Sequence, residues 1–246
     1  METGEHAHPL PVSAPPPEPA RAQDPDRPSW PPSTGLIGLV VALVATLVLS
    51  ALVAVGYLLL GFDDPENTGS FDFVAIAVQS FAFVGAALLM ADRLGRPTPR
   101  QFGFRPFAPS ALGWALVAMV AYFVLSAIYI QLAHPPSDDL PQQLGADKST
   151  TLAILTGVFV VCVAPPVEEF FFRGFLYQAL RTRLGVYGGA VTSGLIFGAI
   201  HFKPEFLVPL AILGTALALL FQKTNSLWPC ILLHAANNAI AFSVTL

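Results

Sequence analysis

The chain has 246 residues, 54% of them hydrophobic and only 11% charged, with a formal net charge of −4 and a mean hydropathy of +0.63. Soluble domains carry roughly a quarter charged residues, so this composition excludes an ordinary soluble globule and indicates a polytopic membrane protein. The acidic balance argues against a nucleic-acid partner.

Residues 1–34 are polar and proline-rich, with the runs PPPEP and PDRPSWPP. Such a segment buries too little apolar surface to offset its ordering entropy, and it lacks the basic start and apolar stretch of a secretory signal. It reads as a solvated, disordered tail without a catalytic part, and His6 and His8 within it read as incidental.

The first apolar run, Leu36 to Phe62, is 27 residues long and uncharged. About 20 residues suffice to cross the hydrocarbon as a helix. Further apolar runs follow at Phe73–Ala91, Ser110–Ala133, Thr150–Pro165, Val167–Leu184, Tyr187–Phe202, Phe206–Phe221 and Leu227–Leu246. The fold class is therefore all-α, a polytopic helical bundle of seven or eight transmembrane helices. The count turns on Pro165 and Pro166, which either kink one long helix or separate two, because proline removes a backbone donor. The organisation reads as a tail over residues 1–34, membrane helices over 35–149 and a polar-site region over 150–246.

Loop charge sets an expected orientation. Arg93, Arg96, Arg100 and Arg105 crowd the second loop, whereas the first carries Asp63, Asp64 and Glu66 and the third Asp138 and Asp139. By the excess of basic residues on the cytoplasmic side, the second loop, the N-terminal tail and the Arg181–Arg183 end of the following helix face the cytoplasm. Cys162 and Cys230 lie in apolar segments without a disulfide-like spacing and read as buried free thiols. Ala190, Gly194 and Gly198 form a small-residue face suited to close helix packing.

Against this apolar background stand Glu168, Glu169, Arg173, His201 and His234. A titratable side chain at bilayer depth costs about 2.5 to 3.5 kcal/mol on insertion scales and is a functional-site hypothesis by default. On a helix Glu169 and Arg173 share a face as i and i+4, while Glu168 points about 100° away. Arg173 then neutralises Glu169 in a charge-assisted bond and leaves Glu168 free as the reactive carboxylate. The same three side chains would also serve as a purely structural ion network. The histidines shift the balance: His234 and Asn238 share a helical face, and two histidines, an amide and a carboxylate pair suit an assembled site. One glutamate, two histidines and an asparagine can activate water, orient it and stabilise an oxyanion. Equally, Glu168, His201 and His234 could hold a zinc ion that activates the water, although HExxH spacing is absent. Ser193, Ser226 and Cys162 lie in no nucleophile context.

Three motifs carry a resemblance. Glu168-Glu169-Phe-Phe-Phe-Arg173 matches EExxxR, Phe197-Gly-Ala-Ile-His201 matches FxxxH, and His234-Ala-Ala-Asn-Asn238 matches HxxxN, all in order and all on apolar segments. From about Thr150 onward the chain resembles the CAAX protease and bacteriocin-processing (CPBP, or Abi) family of intramembrane proteases, typified by the type II CAAX prenyl endopeptidase. The resemblance implies that Glu168, assisted by His201, activates water, that His234 and Asn238 stabilise the oxyanion, and that Glu169 and Arg173 support them. It implies a peptide or protein substrate reached within the lipid bilayer. The family is described both with and without a bound metal, which leaves Zn2+ open as a cofactor. The expected protein is an endopeptidase of a bacterial plasma membrane with its site opening toward the cytoplasm. A non-proteolytic immunity or scaffold protein of the same fold is the first alternative. A small transporter with a Glu/His relay is the second, against which the two halves show no internal duplication.

Overall fold

A computed structural model describes Pro28 and residues 30–62, 69–136 and 150–245. The acidic loop residues Asp63, Asp64, Glu66, Asp138 and Asp139, and the tail histidines, lie outside the described residues. Among the described residues every regular element is helical. They are α1 (Pro32–Leu59), α2 (Gly69–Asp92), the single turn α3 (Pro99–Phe102), α4 (Ser110–Ala133), α5 (Thr150–Val158), α6 (Ala164–Phe171), α7 (Gln178–Ala199), α8 (Leu207–Thr224) and α9 (Trp228–Thr245).

Among the described residues five helices have the length and apolarity to cross a membrane: Pro32–Leu59, Phe73–Asp92, Ser110–Ala133, Thr150–Ala199 and Pro204–Thr224. Leu47, Leu52 and Leu116 are more than half exposed, which suits lipid-facing helices. Together these features make the chain an all-α polytopic membrane protein.

The tandem prolines do not break the chain into separate helices. A π-helical segment, Phe159–Val163, precedes them and hands the chain to α6 with Val163 and Ala164 still in right-handed helical geometry. The wider turn accommodates residues that cannot donate to the preceding carbonyls. A second π segment, Phe172–Tyr177, joins α6 to α7. The rod that begins at Thr150 therefore runs to Leu184, and the two runs separated at Pro165–Pro166 in the sequence are one bent helix.

That rod folds back at Gly185, whose φ of 70° and ψ of −179° leave the helical region. Glycine takes this conformation without a Cβ penalty. The reversal is tight: a Cβ at Gly189 would stand 2.9 Å from the Arg181 backbone, and Phe172 and Phe197 meet edge to face at 5.0 Å. The helix that returns, 186–199, packs on α8 through the small-residue face. A Cβ on Gly214 would lie 2.8 Å from the Gly194 Cα, and one on Gly198 would lie 2.6 Å from the Leu207 carbonyl. Only glycine permits such approach.

Buried aromatics hold the centre. Phe83, Phe171, Phe172, Phe175 and Phe197 are at most 4% exposed. Trp30, which composition assigns to the solvated tail, is only 5% exposed, its ring 5.0 Å from Phe102 and 5.3 Å from Phe175. The first helix likewise starts at Pro32, before the apolar run. Of the two cysteines Cys230 is buried, but Cys162 is exposed on the first π segment. An apolar run does not reveal which face looks outward.

Contacts at the two ends of the bundle sort the loops. The Ser226 hydroxyl donates to the Arg105 carbonyl at 2.6 Å, Leu227 N–H to the Gly103 carbonyl at 2.8 Å, and the Gln178 amide to the Gln101 carbonyl at 2.7 Å. These bonds and Trp30 gather the start of α1, the α2–α4 loop, the C-terminal part of the long rod and the α8–α9 turn at one end. At the other end the Tyr129 hydroxyl donates to the Glu205 carbonyl at 2.8 Å.

Candidate active site

Glu169 is the hub. Its Oε1 accepts from Arg173 Nη1 at 2.8 Å and stands 2.7 Å from His234 Nδ1, with Glu169 and Arg173 fully buried and His234 3% exposed. The Arg173 bond is the helical i, i+4 pair that the sequence spacing predicts. A second arm of the guanidinium, Nη2, donates to the Gly214 carbonyl at 3.1 Å. The Arg173 Cζ also lies 4.7 Å from the Phe197 ring centre. A buried guanidinium thus finds a carboxylate, a carbonyl and an aromatic face, as an ion removed from water requires.

This arrangement orients His234. Because ionised Glu169 only accepts, Nδ1 carries the proton, and Nε2 is directed away from the hub. Nε2 lies 3.7 Å from Glu168 Oε2. That separation is too long for a direct hydrogen bond and short enough for one water to touch both atoms. The Glu168 side chain is 28% exposed, yet its Oε2 is buried and has no hydrogen-bond partner among the described residues. Glu169 Oε2 and Arg173 Nε are likewise buried without a partner. Unsatisfied buried polar atoms are uncommon and suit ordered water or a ligand group.

His201 lies just beyond the end of α7, and its Nδ1 is 2.7 Å from the Phe197 carbonyl. A carbonyl only accepts, so Nδ1 again carries the proton and Nε2 offers a lone pair. The Phe197 ring touches both imidazoles, with centroids 4.8 Å from His201 and 5.8 Å from His234. His234 is the histidine within ion-pair range of Glu168. Asn238, on the His234 helix, turns its amide to the Val160 carbonyl at 3.0 Å, and its Oδ1 accepts weakly from Asn237 at 3.4 Å.

Among the described residues no three His, Cys, Asp or Glu side chains converge as a metal-ligand set, so Glu168, His201 and His234 do not form one.

Sequence reasoning missed the Glu169–His234 bond, the Gly214 carbonyl and the platform made by Phe197. The FxxxH spacing carried a signal for the last, since residues four apart share a helical face. The other two depend on which helices become neighbours.

An all-α polytopic membrane fold with a buried Glu–Arg–His network, and a second glutamate 3.7 Å from its histidine, places the chain among membrane proteins that carry a polar site inside the helical bundle. Residues 150–240 match the model of the family described as type II CAAX prenyl endopeptidase Rce1-like. It is 24% identical over 161 residues to the "Putative membrane peptidase YdiL" of Bacillus subtilis, covering 62% of this chain and 65% of that one. It is 29% identical over 126 residues to the "Uncharacterized 24.3 kDa protein" of Escherichia coli, covering 49% and 58% respectively. The chain thus spans somewhat less than two thirds of the length of either relative. No solved structure matches it significantly.

Proposed function

We propose that this chain is an integral membrane endopeptidase that hydrolyses a peptide bond with water activated by Glu168. The observation that carries this reading is the Glu168 carboxylate, whose buried Oε2 lacks a partner and faces His234 Nε2 across 3.7 Å. The matching family model and the relative named as a membrane peptidase support the reaction class.

In this reading Glu168 takes a proton from water as the water oxygen bonds to the peptide carbonyl carbon. His201 Nε2 accepts from the same water and orients it. His234 in its imidazolium form donates from Nε2 to the oxyanion, and the Glu169 carboxylate at Nδ1 stabilises that cation. Collapse of the tetrahedral adduct breaks the C–N bond, and Glu168 returns its proton to the leaving amine. Arg173 balances Glu169, so that Glu168 carries the remaining negative charge of the pair.

The setting is a bacterial plasma membrane with the N-terminus in the cytoplasm. Support comes from the bonded end of the bundle, which holds Arg96, Arg100, Arg105 and Arg181. The substrate is a peptide or protein segment reached from the bilayer.

The test uses purified protein in lipid nanodiscs with membrane-tethered peptide substrates, products being identified by mass spectrometry. Wild type cleaves, while Glu168→Gln and His201→Ala lose turnover and keep their folds. Undiminished turnover in Glu168→Gln would sink the proposal and leave the scaffold reading in its place.

A further inference from the structure

We propose that the cavity between the start of α1 and the turn after α2 binds the phosphate of an anionic phospholipid headgroup, with Arg96 as its charged ligand. The proposal does not depend on the hydrolytic reading.

The sequence and the fold together put this cavity at headgroup depth. Tryptophan collects where a membrane meets water, because its ring is apolar and its N–H is polar. The chain has three tryptophans. All lie at the bonded end of the bundle: Trp30 precedes α1, Trp228 opens α9 after the α8–α9 turn, and Trp114 in α4 has the Lys223 ammonium 4.6 Å from its ring centre. Arg93, Arg96, Arg100, Arg105, Arg181 and Arg183 join Lys223 there. A general attraction to anionic lipid needs only such a belt of charge, and no cavity.

The structure adds the cavity, of about 480 Å3. Pro28, Trp30 and Pro31 line it from one side and Leu94, Arg96 and Gln101 from the other. Two donors on its walls stand open. Arg96 is exposed and, among the described residues, has neither an ion-pair nor a hydrogen-bond partner. Trp30 is 5% exposed, and its indole N–H finds no acceptor among the described residues. A polar group so enclosed and left unpaired is uncommon, and suits a ligand oxygen.

The chemistry of the walls selects the ligand. A phosphodiester spreads one negative charge over two oxygens, which a guanidinium meets in bidentate fashion while a lone pair remains for the indole N–H. Leu94, 53% exposed, lines the same cavity and gives the glycerol and acyl carbons of a lipid an apolar surface that a free inorganic anion does not use. Among the described residues no carboxylate lines the cavity, so the ammonium of a zwitterionic headgroup meets no counter-charge and is repelled by Arg93 and Arg96.

The test uses the delipidated full chain in neutral detergent, titrated with short-chain phosphatidylglycerol, short-chain phosphatidylcholine or inorganic phosphate, binding being read by native mass spectrometry. Wild type binds phosphatidylglycerol at least about fivefold more tightly than phosphatidylcholine, and inorganic phosphate does not displace it. Arg96→Gln weakens phosphatidylglycerol binding at least about fivefold. Trp30→Phe keeps a ring in the socket and removes the N–H, and weakens binding about two- to tenfold. Arg183→Gln, at an exposed residue of the same end that does not line the cavity, changes binding less than about twofold. Melting temperatures of the two arginine variants match wild type, so the loss in Arg96→Gln reports binding. Equal losses in Arg96→Gln and Arg183→Gln would overturn the site and leave a diffuse basic surface. Displacement by inorganic phosphate, or equal affinity for phosphatidylcholine, would overturn an anionic lipid as the occupant. Unchanged binding in Arg96→Gln would place the lipid elsewhere on the protein.

Discussion

Glu169 Oε1 and His234 Nδ1 are 2.7 Å apart, although 65 residues separate them in sequence. The same oxygen holds Arg173 Nη1 at 2.8 Å, so one carboxylate fixes both a cation and an imidazole. Glu169 thus bonds both His234 and Arg173, while Glu168 Oε2 has no hydrogen-bond partner among the described residues.

The buried pair sets the first expectation. Removing one member strands a charge away from water, at a cost of about 3 to 5 kcal/mol. Arg173→Met lowers the melting temperature strongly. The double variant Glu169→Gln/Arg173→Met loses less than the sum of its parts, because neither charge then remains. Thermal unfolding in detergent reads both.

Glu168 behaves in the opposite way. Its Oε2 makes no hydrogen bond among the described residues, so Glu168→Gln changes stability by no more than about 0.5 kcal/mol. Activity falls about 100- to 10,000-fold with loss of the base. The separation of the two effects, measured on one preparation, distinguishes it from Arg173.

Trp30 packs the segment before α1 onto Phe102 and Phe175. Trp30→Ala empties that socket and destabilises by about 3 to 5 kcal/mol, which a melting curve shows directly. A truncated chain that begins after Trp30 shows the same loss.

Glycine replacements separate packing from helix propensity. Gly214→Ala places a Cβ 2.8 Å from the Gly194 Cα, forces α7 and α8 apart and costs about 1 to 3 kcal/mol. It also moves the carbonyl that holds Arg173, so turnover falls with stability. Gly113→Ala, with nothing within 4 Å, gains about 0.5 to 1 kcal/mol of stability and leaves turnover unchanged.

The proposed orientation predicts labelling from one side. A membrane-impermeant thiol reagent added to whole cells modifies His134→Cys at the far end of α4 and spares Arg96→Cys. The reverse pattern would place the N-terminus outside.

The sequence by itself determined the class. Long uncharged runs need no tertiary information to be membrane helices, because each helix satisfies its own backbone. Ser110–Ala133 coincides with the helix observed. The Glu169–Arg173 pair was equally legible, since four residues on a helix bring two side chains together whatever surrounds them. Tertiary structure alone decided the rest. Whether Pro165–Pro166 ends a helix depends on what packs around the bend, where the Asn238 amide reaches the Val160 carbonyl from α9. Trp30 sits in a proline-rich run and is buried, because its socket is made by Phe102 and Phe175. His234 bonds Glu169 and lies opposite Glu168, because the order in which helices pack sets which distant side chains meet. Local periodicity encodes faces, and only packing encodes partners.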